Sequence, residues 1–149
     1  MPETDVRQVT DLLAQVVDSL DDVAAAYLYG SVARGETTSL SDVDIALLFS
    51  EGLDERARRE ALVRAASELA RGAVEKWLDM RDFDVRDIEE LPLVVQGRIL
   101  TEGRLVHSND DVRRVRFEIS TRMHYFDFLP FHRRDVEEGL RSLRRRFGG

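Results

Sequence analysis

Apolar residues recur along this chain with two different periods. Val6, Val9, Leu12, Leu13, Val16, Val17 and Leu20 fall at three- and four-residue steps, which predicts an amphipathic first helix that Thr4 or Asp5 can cap. Asp21 and Asp22 break that period, and Val23 to Tyr29 is a short apolar run suited to a buried strand. Gly30 closes the run, Ser31 to Gly35 reads as a turn or a single helical turn, and a polar loop follows to Ser41. From Val43 to Phe49 the chain is almost continuously apolar, predicting a second strand buried on both faces apart from its carboxylates. Asp54 can cap a second helix from Glu55 to Arg71, with Ala57, Ala61, Leu62, Ala65 and Leu69 inward and Gly72 as its stop. Val74 to Met80 is expected as the third strand, and Asp82 to Glu90 as an acidic irregular stretch punctuated by Pro92. Leu93 to Leu100 reads as a short helix, Gly103 as a turn and Arg104 to His107 as an edge strand. Beyond Asp110 a helical period carries Val112, Val115, Ile119, Met123 and Phe126 to Leu129; Pro130 is expected to interrupt it before a last helix from Arg134 to Arg146. Strands alternating with helices imply an α/β fold with a small mixed sheet flanked by helices.

Composition narrows the class. A chain of 149 residues, 43% hydrophobic and 34% charged, suits one domain with a real core. The expected division is an α/β core over residues 1–107 and carboxyl-terminal helices over 108–149. Neither a long apolar span nor a basic, apolar leader is evident, so a soluble cytoplasmic protein is expected. The absence of cysteine excludes a disulfide framework, a thiolate zinc site and a cysteine nucleophile. A net charge of −7 argues against a dedicated nucleic-acid binder, although residues 141–146 form a basic end. His107, His124 and His132 lack metal-ligand spacing, and Trp77 reads as core. Phe117, Tyr125, Phe126, Phe128 and Phe131 exceed what one helix face can bury, so part of that group is a candidate partner surface.

The candidate chemistry lies between Tyr29 and Phe49. Gly30-Ser31 is followed, after the ten residues Val32 through Ser41, by Asp42-Val43-Asp44. Carboxylates at i and i+2 of a strand share a face, where they repel each other unless a cation or a proton intervenes. Magnesium is held by one or two carboxylates together with substrate phosphates, and the amides of a Gly-Ser turn are natural anion sites. The pattern therefore points to metal-assisted phosphate chemistry.

Gly30-Ser31, the ten-residue gap and Asp42-x-Asp44 resemble the nucleotidyltransferase superfamily whose fold is shared with DNA polymerase β. Ala33-Arg34-Gly35-Glu36 and Ser41-Asp42-Val43-Asp44 are similar to the minimal nucleotidyltransferases (MNT). Leu93 to His107, Phe117-Glu118 and the Tyr125-x-Asp127-x-x-Pro130 element resemble the MNT antitoxins encoded beside HEPN-domain ribonuclease toxins. The resemblance implies transfer of AMP from ATP, with Mg²⁺, to a tyrosine of the partner toxin. It implies Asp42 and Asp44 as metal ligands and catalytic residues. Gly30 and Ser31 would hold the β- and γ-phosphates, and Arg34 could approach a phosphate. No histidine follows an arginine at the spacing of a HEPN ribonuclease, so the chain is not expected to be the toxin.

The family carries a third carboxylate on its third strand. Matching Leu78-Asp79-Met80 to the family's pattern places that position at Lys76, the only lysine in the chain. Asp79 is then the expected stand-in metal ligand, with Glu75 as the alternative. Two rival readings follow: a catalytically degenerate antitoxin that acts by complex formation alone, or a small-molecule nucleotidyltransferase. A homo- or hetero-oligomer is expected in any of these.

Overall fold

The computed structural model describes residues 2–33, 43–76 and 83–147. Helix α1 (Pro2–Asp18) leads into strand β1 (Val23–Tyr29), followed by a single helical turn, α2 (Gly30–Ala33), and strand β2 (Val43–Phe49). Helix α3 (Glu55–Glu75), strand β3 (Phe83–Asp87) and a 3₁₀ turn at Ile88–Glu90 come next, then α4 (Leu93–Glu102), β4 (Arg104–Ser108) and α5 (Asp111–Phe147). None of the described helices is long and apolar enough to cross a membrane.

The four strands lie in the order β3-β2-β1-β4. β1 pairs antiparallel with β2 and with β4, while β2 and β3 run parallel, joined by the crossover helix that parallel strands require. β1 and β2 match the two apolar runs to the residue, and β4 is the expected edge strand. On one face of the sheet, Val9, Leu13 and Val17 of α1 and Ala61, Ala65 and Leu69 of α3 pack on Leu28, Val43, Ile45 and Leu47. On the other, Ile99 of α4 and Phe117 of α5 pack on Tyr27, Ala46 and Leu48. A sheet with helices on both faces explains why its central strands read as unbroken apolar runs.

Several boundaries differ from expectation. The first helix begins at Pro2, so Thr4 and Asp5 lie inside it rather than capping it. Asp54 does cap α3, accepting a hydrogen bond from the Ala57 amide at 2.7 Å. That helix does not stop at Gly72, because Gly72 faces another helix: a methyl group there would come within 2.4 Å of Leu12 Cδ1. The glycine allows close packing of α3 on α1 and the helix continues to Glu75, so the expected strand from Val74 is displaced; residues 77–80 of it lie outside the described residues. The third strand is β3 instead, within the stretch expected to be irregular. Nor does Pro130 end a helix, since α5 runs through it. A proline inside a helix removes one hydrogen bond and crowds the preceding turn, which bends a helix without necessarily ending it.

Candidate functional site

The end of β1 builds the site. The backbone turns at Gly30 with φ of +75°, a left-handed conformation that favours glycine. A Cβ at this position would also stand 2.2 Å from Asp44 Oδ2 and 3.2 Å from its Cγ. Gly30 is therefore required both by its backbone angle and by the carboxylate packed over it. Asp44 is opposite Tyr29 across the antiparallel β1–β2 pair. By strand alternation it shares the sheet face of Ala46 and Leu48, the face covered by α4 and α5.

Across the parallel β2–β3 pair the register places Asp84 directly opposite Asp44, and Arg86 opposite Ala46. Residues paired in register on neighbouring strands, about 4.8 Å apart, present their side chains on the same face. Asp44, Asp84 and Arg86 thus meet at one corner of the sheet, with Tyr29 beside them. Burial, and after it the negative charges of Asp44 and Asp84, push the Tyr29 hydroxyl above the usual tyrosine range. Arg86 Nε donates to Asp84 Oδ1 at 2.9 Å. That bond and the charge of Asp84 raise the arginine's own affinity for its proton.

Two carboxylates at one level of adjacent strands form an oxygen donor pair of the kind that suits a hard divalent cation. No group of three or more histidine, aspartate or glutamate side chains placed to hold a metal occurs among the described residues. Next to this corner opens a cleft of about 220 Å³, lined by Tyr29, Gly30, Val95, Arg98, Ile99, Glu102 and Gly103. Gly30 is common to the cleft wall and to the Asp44 contact, so one end of the cleft lies next to that carboxylate. The lining combines aliphatic surface from α4 with one cation and one anion, the mixture that small-molecule sites use for packing and orientation.

The sequence-expected residues divide into three groups. Gly30 and Asp44 come together as described. Ser31 is in the α2 turn immediately after Gly30, whereas Arg34, Asp42, Trp77 and Asp79 lie outside the described residues. Lys76 is not on the sheet. It caps the carboxyl end of α3, and its Nζ donates to Gln15 of α1 at 3.0 Å. Lys76 is thus off the sheet, and Glu75 ends the same helix; the carboxylate paired in register with Asp44 is Asp84. Sequence reasoning missed Asp84 and Arg86, although Phe83-Asp84-Val85-Arg86 alternates apolar and polar with the period of a strand. The histidines serve local contacts: His107 Nε2 is 3.2 Å from an Asp18 carboxylate oxygen, and His124 Nδ1 is 2.8 Å from the Ser120 carbonyl.

A left-handed glycine turn lies beside carboxylates on adjoining strands of a mixed sheet, with a cleft next to them. The family described as Polymerase beta, Nucleotidyltransferase matches residues 12–112, and the chain belongs to it. Among its relatives is MJ1547 of Methanocaldococcus jannaschii, provisionally named a protein adenylyltransferase. It is 27% identical over 131 residues, covering 80% of this chain and 86% of that one. The protein adenylyltransferase MntA of Shewanella oneidensis is 30% identical over 87 residues, covering 58% of this chain and 55% of its own. The fold is also similar to a chain in a crystal structure of a mutant toxin–antitoxin MntA–HpeT. The TM-score is 0.56 at 25% identity, over 87% of this chain and 94% of that one.

Proposed function

We propose that this chain is a cytoplasmic antitoxin of the protein adenylyltransferase type, which transfers AMP from ATP to a tyrosine of a cognate HEPN-domain toxin and so silences it. The observation that carries the reading is the in-register pair Asp44 and Asp84 beside the Gly30 turn. The names of the two adenylyltransferase relatives support AMP as the transferred group and a protein as the acceptor. The likeness to a chain from a toxin–antitoxin pair supports the partner class.

In this reading the acceptor tyrosine oxygen attacks the α-phosphorus and the bond from that phosphorus to the bridging β-oxygen breaks. Pyrophosphate leaves, and the phenolic proton passes to a carboxylate or to water. Asp42, Asp44 and Asp84 would hold Mg²⁺, which when bound supplies charge neutralisation at the reacting phosphate. Gly30 and Ser31 would place backbone amides at the phosphates, and Arg34, four residues past Gly30 in the sequence, would supply a cation. The α4 side of the cleft, with Arg98 and Glu102, receives the remainder of the nucleotide. Asp84 takes the place in this scheme that Asp79 held in the sequence reading.

The support for a catalytically degenerate antitoxin was a lysine at the third corner of the site. Lys76 at the end of α3 and Asp84 opposite Asp44 favour turnover over that reading. The test is incubation with Mg²⁺-ATP and the product of the neighbouring gene, read by intact-mass spectrometry. The wild type should add AMP to the partner. Asp44→Asn and Asp84→Asn should each lower the initial rate by ~10²-fold or more, the scale of losing a preorganised charge contact. A wild type that adds no AMP, or an Asp44→Asn variant with unchanged rate, would defeat the proposal.

A further inference from the structure

Arg86 is two residues from Asp84 on the same strand and therefore on the same face, bonded to Asp84 Oδ1 at 2.9 Å. Its side chain is 57% exposed, on the edge strand of the sheet. Among the described residues, more than half of that side chain is open to solvent. It does, however, face a concentrated negative charge, because Asp44 and Asp84 are paired in register one strand apart. Like charges one strand apart repel each other unless a cation stands between or beside them. The guanidinium supplies that cation from within the chain.

We infer that Arg86 is a resident counter-cation for Asp84, displaced when a divalent metal binds and then available to the phosphates of the nucleotide. The inference rests on the metal-assisted reading of this site given above. The Asp84 Oδ1 lone pair that accepts the Arg86 N–H is closed to a metal while that bond lasts, so a metal that takes this position displaces the guanidinium. The exchange is feasible because an exposed ion pair is weak and its long side chain free to turn. Once released, the guanidinium is still anchored at β3, beside the site, where a polyphosphate presents oxygens suited to its planar fork. Arg86 is thus a positioning residue whose effect on metal and on nucleotide should have opposite signs.

Manganese serves as the probe, through the electron paramagnetic resonance signal of the free ion, with the chain titrated alone and then in the presence of a non-hydrolysable ATP analogue. Arg86→Gln should bind Mn²⁺ alone about three- to tenfold more tightly than wild type, as expected for removing one competing and repelling charge near the protein surface. The same variant should bind the Mn²⁺-analogue complex more weakly than wild type. Arg86→Lys, which keeps the charge, should restore both values most of the way. Thermal midpoints of both variants should match the wild type, since the side chain is exposed. Mn²⁺ affinity that is unchanged or weaker in Arg86→Gln overturns the assignment and leaves the metal site standing. If neither wild type nor variant binds Mn²⁺, and Asp44→Asn makes no difference with nucleotide present, the metal-assisted reading fails and takes this inference with it.

Discussion

At the scale of single residues, Gly30 shapes the site by its backbone angle and by the carboxylate packed over it. Its φ of +75° and the 2.2 Å from a would-be Cβ to Asp44 Oδ2 are independent demands that fall on one position. Gly30→Ala therefore has to strain the backbone and push the carboxylate aside at once. The expected result is a loss of about 1–3 kcal/mol in stability by chemical denaturation, together with a fall in AMP transfer larger than that destabilisation explains. A variant of wild-type stability and rate would show that the turn can relax and that Asp44 tolerates displacement. Gly30 and Asp44 were legible from spacing alone, because a turn residue and a strand carboxylate are local features. Tyr29 was legible only as a strand residue. Its closeness to two carboxylates follows from its pairing with Asp44, 15 positions on, which is paired in turn with Asp84, 55 positions from Tyr29.

At the scale of elements the informative error is the third strand. Local reading placed it at Val74–Met80, since Gly72 looked like a helix stop, but Gly72 is where α3 packs against Leu12 of α1. A glycine that ends a helix and one that admits a neighbouring helix are the same letter, and only the neighbour tells them apart. Gly97 does for α4 and α5 what Gly72 does for α3 and α1: a Cβ there would lie 2.2 Å from the Tyr125 ring. Gly97→Ala must displace that ring or part the two helices, at about 1–3 kcal/mol, the usual cost of overpacking. Because α4 also lines the cleft through Val95, Arg98 and Ile99, nucleotide affinity should fall with stability. Denaturant titration and calorimetric binding of an ATP analogue check the two effects separately. The helical period of Val112, Val115, Ile119, Met123 and Phe126 was also read correctly as a helix, yet all five are exposed. The inward side of α5 holds Phe117, Glu118 and Thr121.

At the scale of the whole molecule, the long α5 is joined to the sheet through buried polar contacts as well as apolar ones. The Tyr27 hydroxyl, in the central strand β1, donates to Glu118 Oε1 at 2.8 Å, and Arg114 Nη1 reaches Glu118 Oε2 at 3.1 Å. Asn109, just before α5, donates to the Val17 and Val23 carbonyls at 2.8 and 3.0 Å, binding the end of α1 to the start of β1. Burial, then the hydrogen bond to Glu118, holds the Tyr27 hydroxyl well above the ordinary tyrosine range. With the folded value raised, the unfolded chain loses this proton first as pH climbs past about 10, so stability falls from that point upward. Tyr27→Phe should cost about 1–3 kcal/mol at pH 8 by leaving Glu118 short of a donor. Above pH ~10 the gap to wild type should narrow, by at most about 1.4 kcal/mol per pH unit. Urea melts of both proteins at pH 8, 10 and 11 decide it, and a gap that widens with pH would contradict the assignment.

The sequence by itself determined the two central strands, the turn at Gly30 and the carboxylate of Asp44, because apolar runs, glycine turns and i, i+2 alternation are properties of neighbouring residues. It also carried the family, since that resemblance rests on a short contiguous motif. Only the tertiary structure decided that Asp84 stands beside Asp44, that Arg86 is bonded to it, and that Lys76 belongs to the helical layer. Those facts depend on which strand pairs with β2 and in what register. β3 follows a crossover helix of 21 residues that packs on α1; the alternation of Phe83-Asp84-Val85-Arg86 can suggest a strand but not which strand it pairs with or at what level.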